Sequence, residues 1–155
     1  MDQQTIDLAL ALRPARPEDA TACAAIVGGW IEATDWMPRP HAPDALLRHL
    51  GHTVLPSRAV TVAERAGTVV GFVAVAGGAI DGLYVAEPAR RHGVGAALLA
   101  AAKRANLAGL LLWTHVANRE ARAFYARQGF LELRRATADP DGAPPELLLA
   151  WPGTQ

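Results

Sequence analysis

The residues whose types and spacing suggest chemistry lie in one short turn, in the order Arg90, Arg91, His92, Gly93, Val94, Gly95. An apolar run precedes this turn, and an alanine- and leucine-rich segment typical of a helix follows it. The N-terminus of a helix presents unpaired backbone N–H groups and partial positive charge, so it attracts anions. Glycine lets the backbone approach a phosphate, and arginine adds planar donors. The pattern predicts a pyrophosphate site, although a glycine-rich turn with solvated arginines explains it equally well.

Two other nucleotide-binding motifs do not fit this turn. The dinucleotide-binding motif requires Gly or Ala at its sixth position, where this chain has Leu98, and it usually stands first in a longer βαβ unit. A P-loop requires Gly-Lys followed by Ser or Thr, and this sequence contains no such triplet. A nucleotide-binding domain of another kind would rest on the glycine turn alone.

A second segment, "VANREARAFYARQGF", decides between these interpretations. Together with "LYVAEPARRHGVGAALL", it resembles the GNAT superfamily of N-acetyltransferases. The first piece matches the strand and pyrophosphate turn of that family through Arg90, Gly93 and Gly95. The second matches its Asn-x-x-Ala-x-x-Phe-Tyr-x-x-x-Gly-Phe pattern at Asn118, Ala121, Phe124, Tyr125, Gly129 and Phe130. The resemblance implies a mixed, mostly antiparallel α/β sheet of about seven strands flanked by about four helices.

The resemblance also implies acetyl-CoA as cosubstrate and assigns roles by position. The backbone of Leu83, Tyr84 and Val85 would pair with the pantetheine as an added strand does. The pyrophosphate would lie on the glycine turn, which comprises Arg90, Arg91, His92, Gly93, Val94, Gly95 and Ala96. Asn118 would contact the cosubstrate near the pantetheine, and Tyr125 would face the thioester sulfur.

Local structure alone offers alternatives for these two side chains. Asparagine is a good helix N-cap, so Asn118 can serve in that role, in the cofactor role, or in both. Tyr125 can be a core aromatic beside Phe124, but a buried hydroxyl needs a partner, which argues against packing alone. Tyrosine, with an ordinary pKa of about 10, can protonate a departing thiolate. We therefore assign Tyr125 as the general acid.

The general base is assigned to Asp81, which begins the strand predicted to hold the thioester. A strand-end carboxylate making a turn contact is an equally good explanation of Asp81. Glu64 and His115 are weaker candidates, and an acceptor that binds already neutral needs no base at all.

The resemblance also implies that the acceptor, a small-molecule or peptide amine, is recognised by the two N-terminal helices and their connection. We expect Trp36, Met37 and His41 to line that pocket and Trp30 to pack in the core. The histidines show no recognisable metal-ligand spacing, so no metal site is predicted. An acyl-CoA-binding or regulatory module without turnover is the alternative to an enzyme.

Composition limits the remaining possibilities. The chain has 155 residues, a formal net charge of zero, 51% hydrophobic residues and one cysteine. One N-acetyltransferase domain over residues 1–155 is expected, with no nucleic-acid partner and no membrane partner. No apolar run approaches the length of a membrane span, and the first residues lack the features of a signal peptide. The predictions are a cytoplasmic protein, a homodimer as a permitted assembly, and Cys23 as a buried structural thiol.

The elements that must position these residues follow from hydrophobic periodicity. Strands are predicted at 6–13, around 60–62, at 69–75, 80–85, 110–114, 130–135 and 147–151. Helices are predicted from Pro17, from Pro43 to a stop at Gly51, over 95–104, and from Asn118 to Gly129. The resulting order, β-α-α-β-β-β-α-β-α-β-β, implies a mixed sheet with helices on its faces.

Overall fold

The computed structural model describes residues 9–37, 43–136 and 143–154. Seven strands form one sheet in the spatial order β1-β2-β3-β4-β5-β7-β6. Their bounds are β1 Leu10–Pro14, β2 Ala59–Arg65, β3 Thr68–Ala76, β4 Ala79–Val85, β5 Leu110–His115, β6 Leu131–Arg135 and β7 Glu146–Trp151. Only β4 and β5 run parallel, and every other neighbouring pair is antiparallel. The predicted mixed, mostly antiparallel sheet is confirmed.

Four helical segments flank the sheet, as predicted. They are α1 Ala20–Glu32, α2 beginning with Pro43–Arg48, α3 Val94–Ala105 and α4 Arg119–Arg127. A single 3₁₀ turn, Pro17–Asp19, leads into α1. The alanines and leucines of α3 favour helix strongly, and its buried residues Val94, Leu98 and Ala102 recur at helical spacing.

The second helix is longer than the sequence pattern predicted. Gly51 does not end it: the chain continues through a π-helical stretch, His49–Val54, and a short helical turn, Leu55–Ser57. Leu50 and Val54, four residues apart, are both buried in the cluster beneath α1. Burial of this apolar pair continues the helix through a glycine that could otherwise have ended it.

The two faces of the sheet bury separate hydrophobic clusters. On one face, α3 and α4 cover a cluster that includes Leu98, Leu99, Leu112 and Tyr125. On the other face, α1 and α2 cover a second cluster that includes Cys23 and Phe72. Cys23 is fully buried, and this burial raises the pKa of its thiol to about 12, so the prediction of a structural thiol is confirmed.

The sheet is split in the middle, and the split is the feature that positions the site. The register pairs β4 with β5 only at Ala79 and Ile80. The register of β4 against β3 slips beside this point, because Gly82 pairs with Ala74 and Ile80 pairs with Val75. Asp81 is therefore the extra residue of a β-bulge. Bulges bend a strand and redirect its side chains, so the rest of β4 diverges from β5.

Candidate active site

A cleft of about 700 Å³ occupies the split between β4 and β5. Its lining comes from both faces of the sheet: α3 and α4 contribute on one side, and the end of α1 contributes on the other. The strand ends Asp81–Val85 and Trp113–His115 form the walls between these two sides. We call the part of the lining formed by Arg90, Arg91, Gly93, Gly95 and Ala96 the glycine-turn end, and the part formed by Trp30, Met37, Asp81, Trp113, His115 and Glu146 the acceptor end.

The glycine-turn end is built on left-handed backbone. Arg91 and Gly93 have φ angles of 67° and 82°, and Gly93 is the N-cap residue of α3. Left-handed residues next to a helix N-terminus point successive N–H groups into one concavity, which suits an anion. Arg91 is exposed in this strained conformation and lines the cleft. The strain at Arg91 was not predictable, because arginine rarely adopts a positive φ.

Among the neighbours of Arg91 and Gly93, some face the cleft with a side chain and others only with the backbone. Val94 is 1% exposed and packs in the core, and His92 is exposed outside the lining of the cleft. Either residue can therefore offer the cleft only its backbone amide. Arg90 lines the cleft, and its Nε donates a hydrogen bond of 3.1 Å to the carbonyl of Val85. That bond joins the turn to the end of β4.

The turn fits a group that needs close backbone approach. A Cβ at Gly95 would lie 3.5 Å from the ring of Phe124 and 3.8 Å from Val85, so a larger side chain would fill the space between α3, α4 and β4. Gly95 and Ala96 both line the cleft. These dimensions and the amides of the first turn of α3 suit a phosphate-bearing ligand.

The edge of β4 that faces the cleft is unpaired after Ile80. Leu83, Tyr84 and Val85 line the cleft, and on the other side their strand pairs with β3. Among the described residues no strand of the sheet pairs with this edge beyond Ile80. An unpaired strand edge is a template for an extended group with amide donors and acceptors, as pantetheine is.

Asn118 and Tyr125 occupy the α4 wall of the cleft. The side-chain oxygen of Asn118 accepts a hydrogen bond of 3.0 Å from the amide of Ala121, which confirms the N-cap interpretation, and the residue also lines the cleft. Tyr125 is 7% exposed, and its ring packs edge-on against Phe124 and Phe130 at 5.1 and 5.3 Å. Burial raises the pKa of its hydroxyl, and Tyr84 adds to this shift. Tyr125 therefore keeps its proton at neutral pH.

The three candidate bases are placed differently. Asp81 lines the cleft, and its carboxylate accepts a hydrogen bond of 3.1 Å from Nε of Arg58. Asp81 therefore combines a strand-end ion pair with a place in the lining of the cleft. His115 also lines the cleft, and its buried Nδ1 finds no hydrogen-bond partner among the described residues. Glu64 is not part of the lining and pairs instead with Arg13 at 3.2 Å.

The acceptor end departs in part from the sequence interpretation. Met37 lines the cleft, whereas Trp36 lies beside it and packs on His115 with ring centroids 5.0 Å apart. His41 lies outside the described residues. The expectation of a core Trp30 is wrong, because this half-buried residue lines the cleft and packs against Tyr84 at 5.7 Å. Its helix ends two residues later, so its ring reaches the edge of the core rather than the interior.

Sequence reasoning missed several lining residues. They include Trp113, Glu120, Arg127, Gln128 and Glu146. Trp113 and His115 alternate with the buried Leu112 and Thr114 along β5, and this period could have placed them on the face opposite α3. No such signal marks Glu146, which reaches the cleft only because β7 pairs with β5.

The described residues contain neither a cluster of metal-binding side chains nor a membrane-spanning helix. No group of three or more histidine, cysteine, aspartate or glutamate residues in ranges 9–37, 43–136 and 143–154 could hold a metal ion. Within the same ranges no helix has the length and apolar character needed to cross a membrane.

Comparison with known proteins places this architecture in a family. Residues 56–132 match the family model of the acetyltransferase (GNAT) domain. The probable N-acetyltransferase Rv2775 of Mycobacterium tuberculosis is 44% identical over 52 residues. That match covers 33% of this chain and 30% of the relative, so the chain matches less than a third of the length of this curated relative.

Solved structures share the fold over nearly the whole chain. The apo form of YjaB from Escherichia coli has a TM-score of 0.76 and 28% identity, covering 94% of this chain and 99% of YjaB. The structure of yncA from Salmonella typhimurium, solved with its cofactor acetyl-CoA, has a TM-score of 0.70 and 19% identity, covering 92% of each chain. This second likeness concerns the fold alone.

A split mixed sheet with a glycine turn at the start of α3 defines an acyltransferase-type domain. The chain belongs to the GNAT superfamily of acetyltransferases, as its two motifs indicated.

Proposed function

We propose that this protein transfers the acetyl group of acetyl-CoA to a primary amine of a small molecule or peptide, by direct attack of the amine. The observation that carries the proposal is the cleft itself. It brings the first turn of α3, the unpaired edge of β4 and the buried Tyr125 into one continuous space. An anion site, an amide-pairing edge and a proton donor are the three groups that such a transfer needs.

Binding of the cosubstrate is assigned to the residues predicted for it. The pyrophosphate lies against the amides from Arg91 to Ala96, and the arginines of the turn add donors. The backbone of Leu83, Tyr84 and Val85 orients the pantetheine, with Asn118 opposite. Acetyl-CoA supplies an activated thioester, and this chain supplies positioning, which can lower a barrier by several kcal/mol.

Proton transfer to the leaving sulfur is assigned to Tyr125. Its hydroxyl is protonated at neutral pH, because burial raises its pKa. The hydroxyl can therefore donate to charge that develops on sulfur as the C–S bond breaks. Donation from a positioned group in a dry site is a strong catalytic contribution.

Proton removal from the amine is assigned to Asp81. An ammonium acceptor cannot attack a thioester until it loses a proton. The bulge in β4 directs Asp81 to the acceptor end, where Arg58 holds one of its oxygens and the other remains free for the amine or a bridging water. Met37 and Trp36, together with His41 of the following segment, bound the acceptor itself in this proposal.

The alternative is a module that binds acyl-CoA without turnover. Fold alone does not exclude it. The buried Tyr125 hydroxyl weighs against it, since binding alone does not need a proton donor at the cleft. Release of free thiol from acetyl-CoA, measured against a panel of amines, separates the two. Binding of acetyl-CoA with no thiol release above the amine-free rate across the panel would favour the module. The cytoplasmic location and the homodimer stay predictions.

A further inference from the structure

We propose that the acceptor end selects an amine that carries a second positive charge, and that Glu146 binds this second charge. The inference rests on the proposed acetyl transfer and concerns its acceptor. Here the acceptor end means the part of the lining formed by Trp30, Met37, Asp81, Trp113, His115 and Glu146.

Charges along the cleft are unevenly distributed. All three arginines of the lining, Arg90, Arg91 and Arg127, belong to the turn before α3 or to α4. Among the residues that the structure describes, the acceptor end has no lysine or arginine in its lining, and it contains two carboxylates. The remaining acidic residue of the lining, Glu120, is exposed in the first turn of α4. A polyanionic cosubstrate therefore meets the cationic end, and a cationic acceptor meets the anionic end.

The two carboxylates of the acceptor end are not equivalent. Asp81 is already paired with Arg58 at 3.1 Å, and its side chain is 44% exposed. Glu146 is half-buried, and among the described residues no cationic nitrogen lies within the 4.0 Å of an ion pair. A partly desolvated carboxylate with no positive partner favours a ligand that brings one. Within the described part of the acceptor end, Glu146 is therefore the carboxylate that lacks a cationic partner.

Aromatic rings adjoin this carboxylate. Tyr84, Trp30, Trp36 and His115 form a continuous row of edge-on contacts, with successive ring centroids 5.7, 6.0 and 5.0 Å apart. The register of β5 against β7 sets His115 directly opposite Glu146, at the end of this row. Aromatic rings attract ammonium and guanidinium groups through their quadrupoles. A carboxylate next to such a row is a site for an organic cation.

One ring of the acceptor end already makes this interaction. The guanidinium of Arg134 lies 5.4 Å from the centroid of Trp113. The guanidinium of Arg134 therefore covers the ring of Trp113. It also adds positive charge at the outer rim of the acceptor end. These contacts limit the cation of an acceptor to the inner rings, Trp30 and His115, and to Glu146. Recognition of the second positive charge is therefore assigned to Glu146 and not to the other residues along the strand ends.

The test uses acceptors of equal length that differ only in the far end group. These are α,ω-diaminoalkanes, n-alkylamines and ω-amino acids of three to six carbons, assayed at one pH for thiol release from acetyl-CoA. We expect kcat/KM for the best diamine to exceed that of its matched alkylamine by at least about tenfold, the lower end for a charged hydrogen bond. The amino acid should be the poorest acceptor, because its carboxylate faces Glu146.

The variant Glu146→Gln should lower kcat/KM for the diamine far more than for the alkylamine, and the loss with the diamine should appear in KM. Glu132→Gln is the matched control, because Glu132 is an exposed carboxylate on the neighbouring strand β6, outside the lining. It should keep the wild-type preference. Equal kcat/KM for the three acceptor classes in the wild type would overturn the inference. A Glu146→Gln variant that loses activity equally with all acceptors would overturn it too.

Calorimetric binding of the same diamine and alkylamine to the protein with CoA separates this inference from the proposed function. If no amine is acetylated but the diamine still binds about tenfold tighter, and Glu146→Gln abolishes that difference, acetyl transfer fails and the cation site stands. If amines are acetylated without any preference for the second charge, acetyl transfer stands and the cation site fails.

Discussion

At the scale of single residues, Tyr125 shows how one side chain satisfies two requirements. Its ring belongs to the buried cluster beneath α3 and α4, which fixes its orientation. The residue also lines the cleft, and burial raises the pKa of its hydroxyl, which therefore keeps its proton. Packing of Tyr125 is therefore compatible with the proton donation that we propose, since the packing orients the ring that carries the hydroxyl.

Tyr125→Phe separates the two roles, because it removes the hydroxyl and keeps the ring. We expect kcat to fall on the order of 10²-fold, as is typical of the loss of a general acid. The affinity for acetyl-CoA should barely change, so kcat and kcat/KM should fall together. Steady-state kinetics with one accepted amine, plus calorimetric binding of acetyl-CoA, measure both. Phe124→Leu is a packing control on the same helix. A wild-type rate in Tyr125→Phe would leave the tyrosine with a packing role only.

Residue types and spacing were enough to predict the turn and the α4 motif, but not the roles that depend on long-range contacts. Asn118 was predictable as a helix cap, because capping is local. Trp30 was misassigned because helical spacing shows which residues share a face of the helix. It does not show whether that face packs in the core or lines a cleft. Glu146 was missed because its place depends on the pairing of β7 with β5, which joins residues far apart in sequence.

At the scale of elements, the glycine turn and the N-terminus of α3 together form one end of the cleft. Gly95→Val should weaken acetyl-CoA binding by at least about tenfold, because the added methyl groups enter the space between Phe124 and Val85. Gly29→Val is the matched control, since Gly29 is also helical, is exposed, and has no atom within 4 Å of an added Cβ. Isothermal titration of both variants is the measurement. Unchanged affinity in a folded Gly95→Val protein would place the phosphate site elsewhere.

The junction of β1 with α1 depends on a bidentate ion pair. The guanidinium of Arg13 donates to both carboxylate oxygens of Asp19 at 2.8 and 2.9 Å, and its Nε reaches Glu64 on β2. The amide of Arg16 donates to the same carboxylate at 2.7 Å. The hydrogen bond from Arg13 holds the pKa of Asp19 below its ordinary value of 3.8. The charged form of this carboxyl therefore stabilises the fold.

Asp19→Asn should lower the melting temperature by several degrees at neutral pH. Because the folded pKa is depressed, the stabilisation by Asp19 is complete above its ordinary pKa and is lost as pH falls through the folded pKa. The difference in melting temperature between wild type and variant should therefore shrink from about pH 5 downward. Asp44→Asn is the control, because its exposed pair with Arg48 contributes little. A difference that stays constant to low pH would exclude this linkage.

The elements themselves were largely predictable, whereas their irregularities were not. Alternation and turn residues predicted the seven strands to within a few residues. Residues 6–8 of the first predicted strand lie outside the described residues. The bulge at Asp81 leaves no mark in the local pattern, since it arises from the pairing of β3 with β4. The extension of α2 past Gly51 likewise depends on burial against α1.

At the scale of the whole molecule, the split sheet would allow one cleft to bind both of the proposed ligands. A continuous sheet would separate the face covered by α3 and α4 from the face covered by α1 and α2. Divergence of β4 from β5 joins the two faces through the sheet. A cosubstrate bound on one side and an acceptor bound on the other can then meet at the gap, with Tyr84 and Tyr125 on opposite faces beside it.

Because the cleft contacts so many elements, its occupancy should stabilise the entire fold. A ligand that binds only the folded state adds about 2.7 kcal/mol at 100 times its Kd. For a chain of this size that corresponds to a rise in melting temperature of roughly 5–11 °C. We expect acetyl-CoA and CoA to produce such a shift in differential scanning fluorimetry, because both carry the pyrophosphate and pantetheine.

NAD and ATP should produce far less, since neither carries the pantetheine that pairs with β4. Gly95→Val should lose most of the shift, and Tyr125→Phe should keep it. Equal stabilisation by NAD would mean that the glycine turn recognises phosphate alone, and the assignment of the β4 edge to pantetheine would then fall.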